Sequence, residues 1–151
     1  MKKFIIAALL LAVSTWAAAP VRADGATASP DEAKIMAVKA AEFLKANGPE
    51  KAFAAFTGKE APWIDRDLYV FVYDETGHSV AHGGNPALVG KSLIDLKDPD
   101  GKAFVRDFVA IKEAGWVEYK WRSPVTNAVE PKLSYIIPIG TYRVGVGAYK
   151  K

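Results

Sequence analysis

Apolar and polar positions along this chain change period several times, and each change marks an element. After Met1-Lys2-Lys3, residues 4–13 form an unbroken apolar run, followed by the small residues of Ala17-Ala18-Ala19-Pro20-Val21-Arg22-Ala23. A basic start, a short apolar stretch and small residues before a cut make the three-part pattern of a secretory signal peptide. The run stops well short of the ~20 apolar residues that a spanning helix needs. The pattern predicts a leader over residues 1–23, cut before Asp24, and a single domain over 24–151. Ser29-Pro30-Asp31-Glu32 then carries the marks of a helix start, with a capping box and a proline at the first helical position. Ile35, Met36, Ala40, Phe43 and Leu44 follow at three- and four-residue spacing, which predicts one long amphipathic helix. Asn47-Gly48-Pro49 interrupts it before a short second helix from Glu50 to Phe56.

From residue 67 the period shortens. Leu68 to Tyr73 is a continuous β-branched and aromatic run, the mark of a strand buried on both faces. Asp74 to Gly77 turns the chain, and His78 to His82 returns. Residues 83–96 are loop-like. A second amphipathic helix is predicted over Lys102 to Ala114, with Asp98 or Asp100 as its cap. Strands over Trp116 to Trp121, Leu133 to Ile139 and Tyr142 to Tyr149 finish the chain. The predicted fold class is α+β, a long N-terminal helix packed on an antiparallel sheet of about five strands.

The 151 residues suffice for one domain, and half of them are apolar. The formal charge of +3 belongs to the leader: without Lys2, Lys3 and Arg22, 17 positive side chains face 17 negative ones. No basic run with interleaved aromatics remains, so nucleic acid is not an expected partner. No second long apolar segment follows, so no membrane span is expected after leader cleavage, and the periplasm is the expected location. There is no cysteine, which excludes disulfides, a thiol nucleophile and thiolate metal sites. His78 and His82 alone make a poor metal pair. No Gly-x-Ser-x-Gly elbow, Gly-rich phosphate loop or His-Glu-x-x-His helix occurs. Neither enzyme activity nor a cofactor or metal is expected.

Ordered landmarks run through almost the whole mature chain. They are Asp67-Leu68-Tyr69-Val70-Phe71-Val72-Tyr73-Asp74 with Gly77, the His82/Asn85-Pro86 loop ending Val89-Gly90-Lys91, and Asp98-Pro99-Asp100-Gly101-Lys102. Gly115-Trp116-Val117-Glu118-Tyr119-Lys120-Trp121, Pro131-Lys132-Leu133-Ser134-Tyr135 and Gly145-Val146-Gly147-Ala148-Tyr149 complete the series. In this the sequence resembles the small single Cache domains (sCache_2-like), extracytoplasmic sensors of bacterial chemoreceptors and histidine kinases. The resemblance implies a PAS-like sheet and a pocket between that sheet and the segment joining the hairpin to the last three strands. It also implies signal transduction and chemotaxis as the setting, and a small-molecule ligand, with a carboxylate favoured. Because the chain stops at Lys151, the expectation is a stand-alone form that acts through a membrane receptor or kinase partner. The alternative is a periplasmic protein-interaction module without a working pocket, in which the first helix forms a homodimer.

Six residues are the candidate ligand contacts. Lys132 and Tyr135 lie in the stretch that contributes to the pocket in the family, and a lysine with a phenol suits a carboxylate. Alternation along a regular strand points them to opposite faces, so only a bulge or strand start near Pro131 brings them together. Tyr119 and Trp121 share a face with Val117, as pocket wall or as core. Tyr69 belongs to a stripe with Phe71 and Tyr73, for which core packing is the competing reading. The resemblance puts His82 at the pocket mouth, against a structural role in the loop.

Overall fold

A computed structural model describes residues 27–150, and the predicted leader lies outside the described residues. Helix α1 (Pro30–Asn47) starts at the predicted capping box. The Glu32 N–H donates to Ser29 Oγ at 3.2 Å and the Ser29 N–H donates to the Glu32 carboxylate at 2.7 Å. Just upstream, the Ala28 N–H donates to the buried carboxylate of Asp67 at 2.6 Å. Gly48, at φ 80°, ends α1, and Pro49 opens α2 (Pro49–Thr57). The buried face of α1 is mostly alanine: Ala33, Met36, Ala37, Ala40, Ala41 and Leu44. Small side chains let the helix lie close on the sheet, across the last two strands. The helix is turned to present that alanine row, and Ile35, placed on the apolar stripe by its spacing, is 55% exposed.

Among the described residues the sheet has six strands: β1 (Ile64–Asp65), β2 (Leu68–Asp74), β3 (Ser79–His82), β4 (Gly115–Arg122), β5 (Val129–Ile139) and β6 (Tyr142–Tyr149). Its order is β1-β2-β6-β5-β4, with β3 also paired to β2, and all pairings are antiparallel. The strand beyond the predicted five is β1, two residues long and too short to show a period. Strand β5 begins four residues earlier than its hydrophobic pattern suggests. It runs straight through Pro131, which sits opposite Lys120 and whose carbonyl accepts from the Lys150 N–H at 2.8 Å.

Between β3 and β4 the chain makes a short 3-10 turn (Pro86–Leu88) and helix α3 (Phe104–Ala110). Only seven residues long, α3 stops where Ile111 turns extended at ψ 126°. The predicted cap by Asp98 or Asp100 does not form: the N-cap is Ala103, with no side-chain bond. Asp98 binds elsewhere. Its Oδ1 accepts from the Asp100 and Lys102 N–H groups at 3.0 and 2.9 Å, and its Oδ2 from the Lys120 N–H of β4 at 3.0 Å.

Strand alternation gives the sheet two faces. Leu68, Val70, Val72, Val144, Val146 and Ala148 pack under α1 and α2 with Phe56 and Trp63. Tyr69, Phe71, Tyr73, Val117, Tyr119 and Ile136 form the distal face, covered by Leu93, Phe104, Val105 and Phe108. Among the described residues no helix is long and apolar enough to cross a membrane.

Candidate functional site

The distal face has room for a long polar side chain because β6 puts glycine there. A Cβ on Gly145 would come within 2.3 Å of the Phe71 ring carbons, and one on Gly147 would overlap the Ser134 hydroxyl and come within 2.6 Å of Lys132 Cε. Lys132, registered between Tyr119 on β4 and Tyr149 on β6, therefore extends across the bare backbone of Gly147. It is fully buried. Its Nζ lies 3.9 Å from the centre of the Tyr69 ring, 4.9 Å from Tyr149 and 5.6 Å from Phe71. Ring faces attract a cation, but among the described residues no atom accepts a hydrogen bond from this nitrogen. Burial pushes the Lys132 amine well below its ordinary range, and the charge of Asp67 opposes that shift.

His82 borders the same chamber, with ring centres 5.2 Å from Tyr69, 6.1 Å from Phe71 and 6.4 Å from Trp121. Its Nδ1 accepts from the Asn85 N–H at 2.9 Å. That bond assigns the proton of the neutral ring to Nε2, as a donor. Burial first, and the neighbouring Lys132 second, lower the imidazole to about 3. At neutral pH His82 is an uncharged donor.

Three phenols and an indole complete the surroundings. Phe104 stacks on Tyr119 at 4.4 Å, and the Tyr119 hydroxyl shares a 3.1 Å hydrogen bond with Ser134 Oγ. Trp121 is half-buried and meets the Phe104 ring at 5.4 Å. The Tyr149 hydroxyl donates to the Arg122 carbonyl at 2.7 Å. Burial pushes Tyr69, Tyr119 and Tyr149 above the usual phenol range, so all three stay neutral. A cleft of about 440 Å³ opens beside this group, with Tyr69, Gly84, Asn85, Leu88 and Trp121 among the residues that line it. Gly84 is needed there, since a Cβ would sit 2.5 Å from the Tyr69 ring. Lys132 does not line the cleft: Tyr69 does, and the same Tyr69 ring faces the Lys132 Nζ.

Five of the six candidates thus gather on one side of the sheet: Lys132, His82, Tyr69, Tyr119 and Trp121. Tyr135 does not join them. With β5 in unbroken register through Pro131 there is no bulge, and three residues along a regular strand reverse the face. Tyr135 packs on the helix side, edge-on to Trp116 at 4.8 Å, with Lys34 Nζ 5.1 Å from its ring centre. In its place the chamber has Tyr149, which the sequence reading passed over although the alternation of β6 puts it on the distal side. Asp67 is also fully buried, and among the described residues its Oδ2 has no hydrogen-bond partner. Arg106 points outward into an ion pair with exposed Asp95. Chemically the chamber offers donors (an amine, a neutral imidazole N–H and phenols) within apolar aromatic walls, which suits binding an anionic head group with a small carbon skeleton.

Comparison with known proteins agrees with this architecture. The family described as Single Cache domain 2 matches residues 14–150. Among curated proteins, the chain is 34% identical over 88 residues to the sensor histidine kinase MctS of Rhizobium johnstonii, which covers 56% of this chain and 19% of that protein. The chain therefore spans less than a fifth of that relative's length. Among solved structures, a methyl-accepting chemotaxis protein from Vibrio parahaemolyticus superimposes with a TM-score of 0.69 at 27% identity, covering 79% of this chain and 86% of the other. A structure described as the basis for carboxylic acid recognition by a Cache chemosensory domain gives a TM-score of 0.67 at 24% identity, over 80% and 92% of the two chains. At that identity the likeness is one of fold.

Proposed function

The chain belongs to the Single Cache domain 2 family, and on that premise we propose that its domain is an extracytoplasmic sensor for a small carboxylic acid, with Lys132 as the counter-charge. The observation that carries the reading is the Lys132 amine, fully buried against aromatic faces and, among the described residues, without a hydrogen-bond partner. An unpaired buried charge costs several kcal/mol, and a carboxylate is the ligand that would remove that cost. His82 Nε2–H and the Tyr69 hydroxyl would supply the second and third donors, while Tyr119, Trp121 and Phe104 enclose the carbon chain. Because Tyr69 stands between cleft and amine, the acid would enter past the Tyr69 and Trp121 rings, exchanging cation–π contacts for an ion pair. The solved Cache domain described as recognising carboxylic acids supports the ligand class by fold analogy. The mechanism is recognition rather than reaction.

The basic-start leader pattern places the domain in the periplasm in this reading. The sensor kinase and chemotaxis relatives point to a membrane receptor or kinase as the element that receives the signal. A second reading, homodimerisation through α1, has one favouring observation: Ile35 and Val38 are 55% and 39% exposed on that helix. Sedimentation of the purified protein separates it from a monomeric sensor.

The test is thermal unfolding of the purified protein against acetate, propionate, butyrate, amino acids, amines and purines. A ligand at 100 times its Kd adds about 2.7 kcal/mol, which is several degrees for a domain of this size. Saturable stabilisation by acids alone is the expected result, and a silent acid series with a response to amines or purines would overturn it.

A further inference from the structure

The cleft is closed on one side by the strap of chain from Gly83 to Ala103, whose middle is tied to the β2–β3 hairpin by backbone bonds of Gly90, Lys91 and Leu93, while side chains help to pin both ends. At its start the Asn85 N–H donates to His82 Nδ1. At its far end the pin is Asp98, only 8% exposed. Among the described residues strand β4 ends the sheet on this side, so its outer backbone groups have no neighbouring strand there. Asp98 satisfies one of them, the Lys120 N–H, while holding the Asp100 and Lys102 N–H groups of its own turn. Lys102 Nζ satisfies another, donating to the Glu118 carbonyl at 2.6 Å. A carboxylate holding three backbone donors is a strong, charge-assisted clasp.

The position of this clasp matters more than its strength. Lys97, Asp98 and Pro99 line the cleft from the strap, and Lys120 and Trp121 line it from β4. The bond from Asp98 Oδ2 to the Lys120 N–H is thus a buried direct tie between two walls of one cleft, beside Trp121, with the exposed ion pair of Lys120 Nζ and Asp100 at 2.9 Å outside it. Lengthen or cut it, and the strap's hold on the strand falls to the exposed contacts of Lys102 with the Glu118 carbonyl and of Asp100 with Lys120 Nζ. Burial works against the charge on Asp98, yet the donors from Lys120, Lys102 and Asp100 hold the carboxyl below its usual range. The clasp stays closed throughout the neutral range.

We propose that Asp98 is a positioning residue that fixes the width of the cleft and so sets the chain length of the acid the domain admits. The proposal rests on the carboxylate reading above. Asp98 need not touch the ligand: it acts through the strap and through Trp121.

Two substitutions test it. Asp98→Asn keeps an oxygen for the Asp100 and Lys102 N–H groups but turns an amide NH₂ toward the Lys120 N–H, donor against donor. Asp98→Glu keeps the charge and lengthens the tie by one methylene. Dissociation constants for acetate, propionate, butyrate and hexanoate are measured on the wild type and both variants, with amide exchange at Lys120 followed by NMR. The expected result for Asp98→Asn is faster Lys120 exchange, at least tenfold weaker binding of the best wild-type acid, and a several-fold flatter preference across the series. In Asp98→Glu the preference should move toward the longer acids. If the affinity ratios stay as in the wild type in whichever variant folds, even with every value shifted together, Asp98 is a structural brace and the proposal is wrong. If the wild type itself binds none of the four acids, the pocket reading fails and this proposal with it.

Discussion

The two faces of one sheet are built from the same strands, yet they are different materials. Toward the helices the strands present Leu68, Val70, Val72, Val144, Val146 and Ala148, packed against alanines of α1. Away from them the intervening positions are Tyr69, Phe71, Tyr73, Tyr119 and Tyr149, with Lys132 and Ser134 buried among them. The first face is aliphatic and close-packed, and its interactions are those that stabilise any small domain. The second includes a lysine amine removed from water and, among the described residues, without a hydrogen-bond partner, which opposes folding unless something binds it. Period-two alternation along β2, β5 and β6 is what allows stability and recognition to be divided between faces without compromise at any one residue. Proteins break local packing rules mainly where function needs it, and here the breach is confined to one side.

The comparison can be broken most forcefully on the helix side. Phe56 is fully buried, with its ring against those of Phe43 on α1 and Trp63. Phe56→Ala should cost about 3–5 kcal/mol of stability, read by urea unfolding, while acid affinity extrapolated to the folded fraction stays within a factor of two. A comparable loss of affinity would show that the faces are not separate.

The next effect is acid sensitivity on the distal side. The His82 imidazole is lowered from 6.5 to about 3, so the folded state binds fewer protons than the unfolded one. Its contribution to stability is complete above pH 6.5 and is lost as pH falls toward 3. At pH 4 the loss is on the order of 3 kcal/mol. His82→Asn keeps an acceptor for the Asn85 N–H but cannot titrate, so its unfolding free energy should fall less between pH 7 and pH 4, by about that amount. Parallel pH profiles for the two proteins would remove His82 from the acid response.

The smallest effect sharpens the boundary. Tyr135→Phe should leave acid affinity unchanged and stability within about 0.5 kcal/mol, because Tyr135 lies on the helix side under Lys34. Weakened acid binding in this variant would mean that the strand register in solution differs.

How much of this was legible in the sequence depended on how local the cause was. The capping box at Ser29 and Glu32 and the buried run from Leu68 to Tyr73 are set by neighbours in sequence, and both read correctly. The opposite orientation of Lys132 and Tyr135 was equally legible from alternation, but Pro131 invited a bulge that the structure lacks, because the strand runs through it from Val129. Tyr149 could have been found by applying the same alternation to β6. Asp98 could not. It has the spacing of a helix cap, and only the arrival of β4, 22 residues later, gives its second oxygen a partner. The exposure of Ile35 was hidden for a related reason: the packing side of α1 is chosen by how closely alanines let it approach the sheet, not by where its largest apolar side chains stand.

The central claim, that the distal face holds an acid through one buried ammonium, is tested most directly by Lys132→Met. Methionine fills nearly the same space without charge. Acid affinity by titration calorimetry and unfolding free energy by urea are measured on the same preparations. The account predicts that the two move in opposite directions: affinity falls at least tenfold, as loss of a charge-assisted bond of about 1.5–3 kcal/mol requires, while stability stays level or rises by about 1–2 kcal/mol. Unchanged acid affinity in Lys132→Met would contradict it.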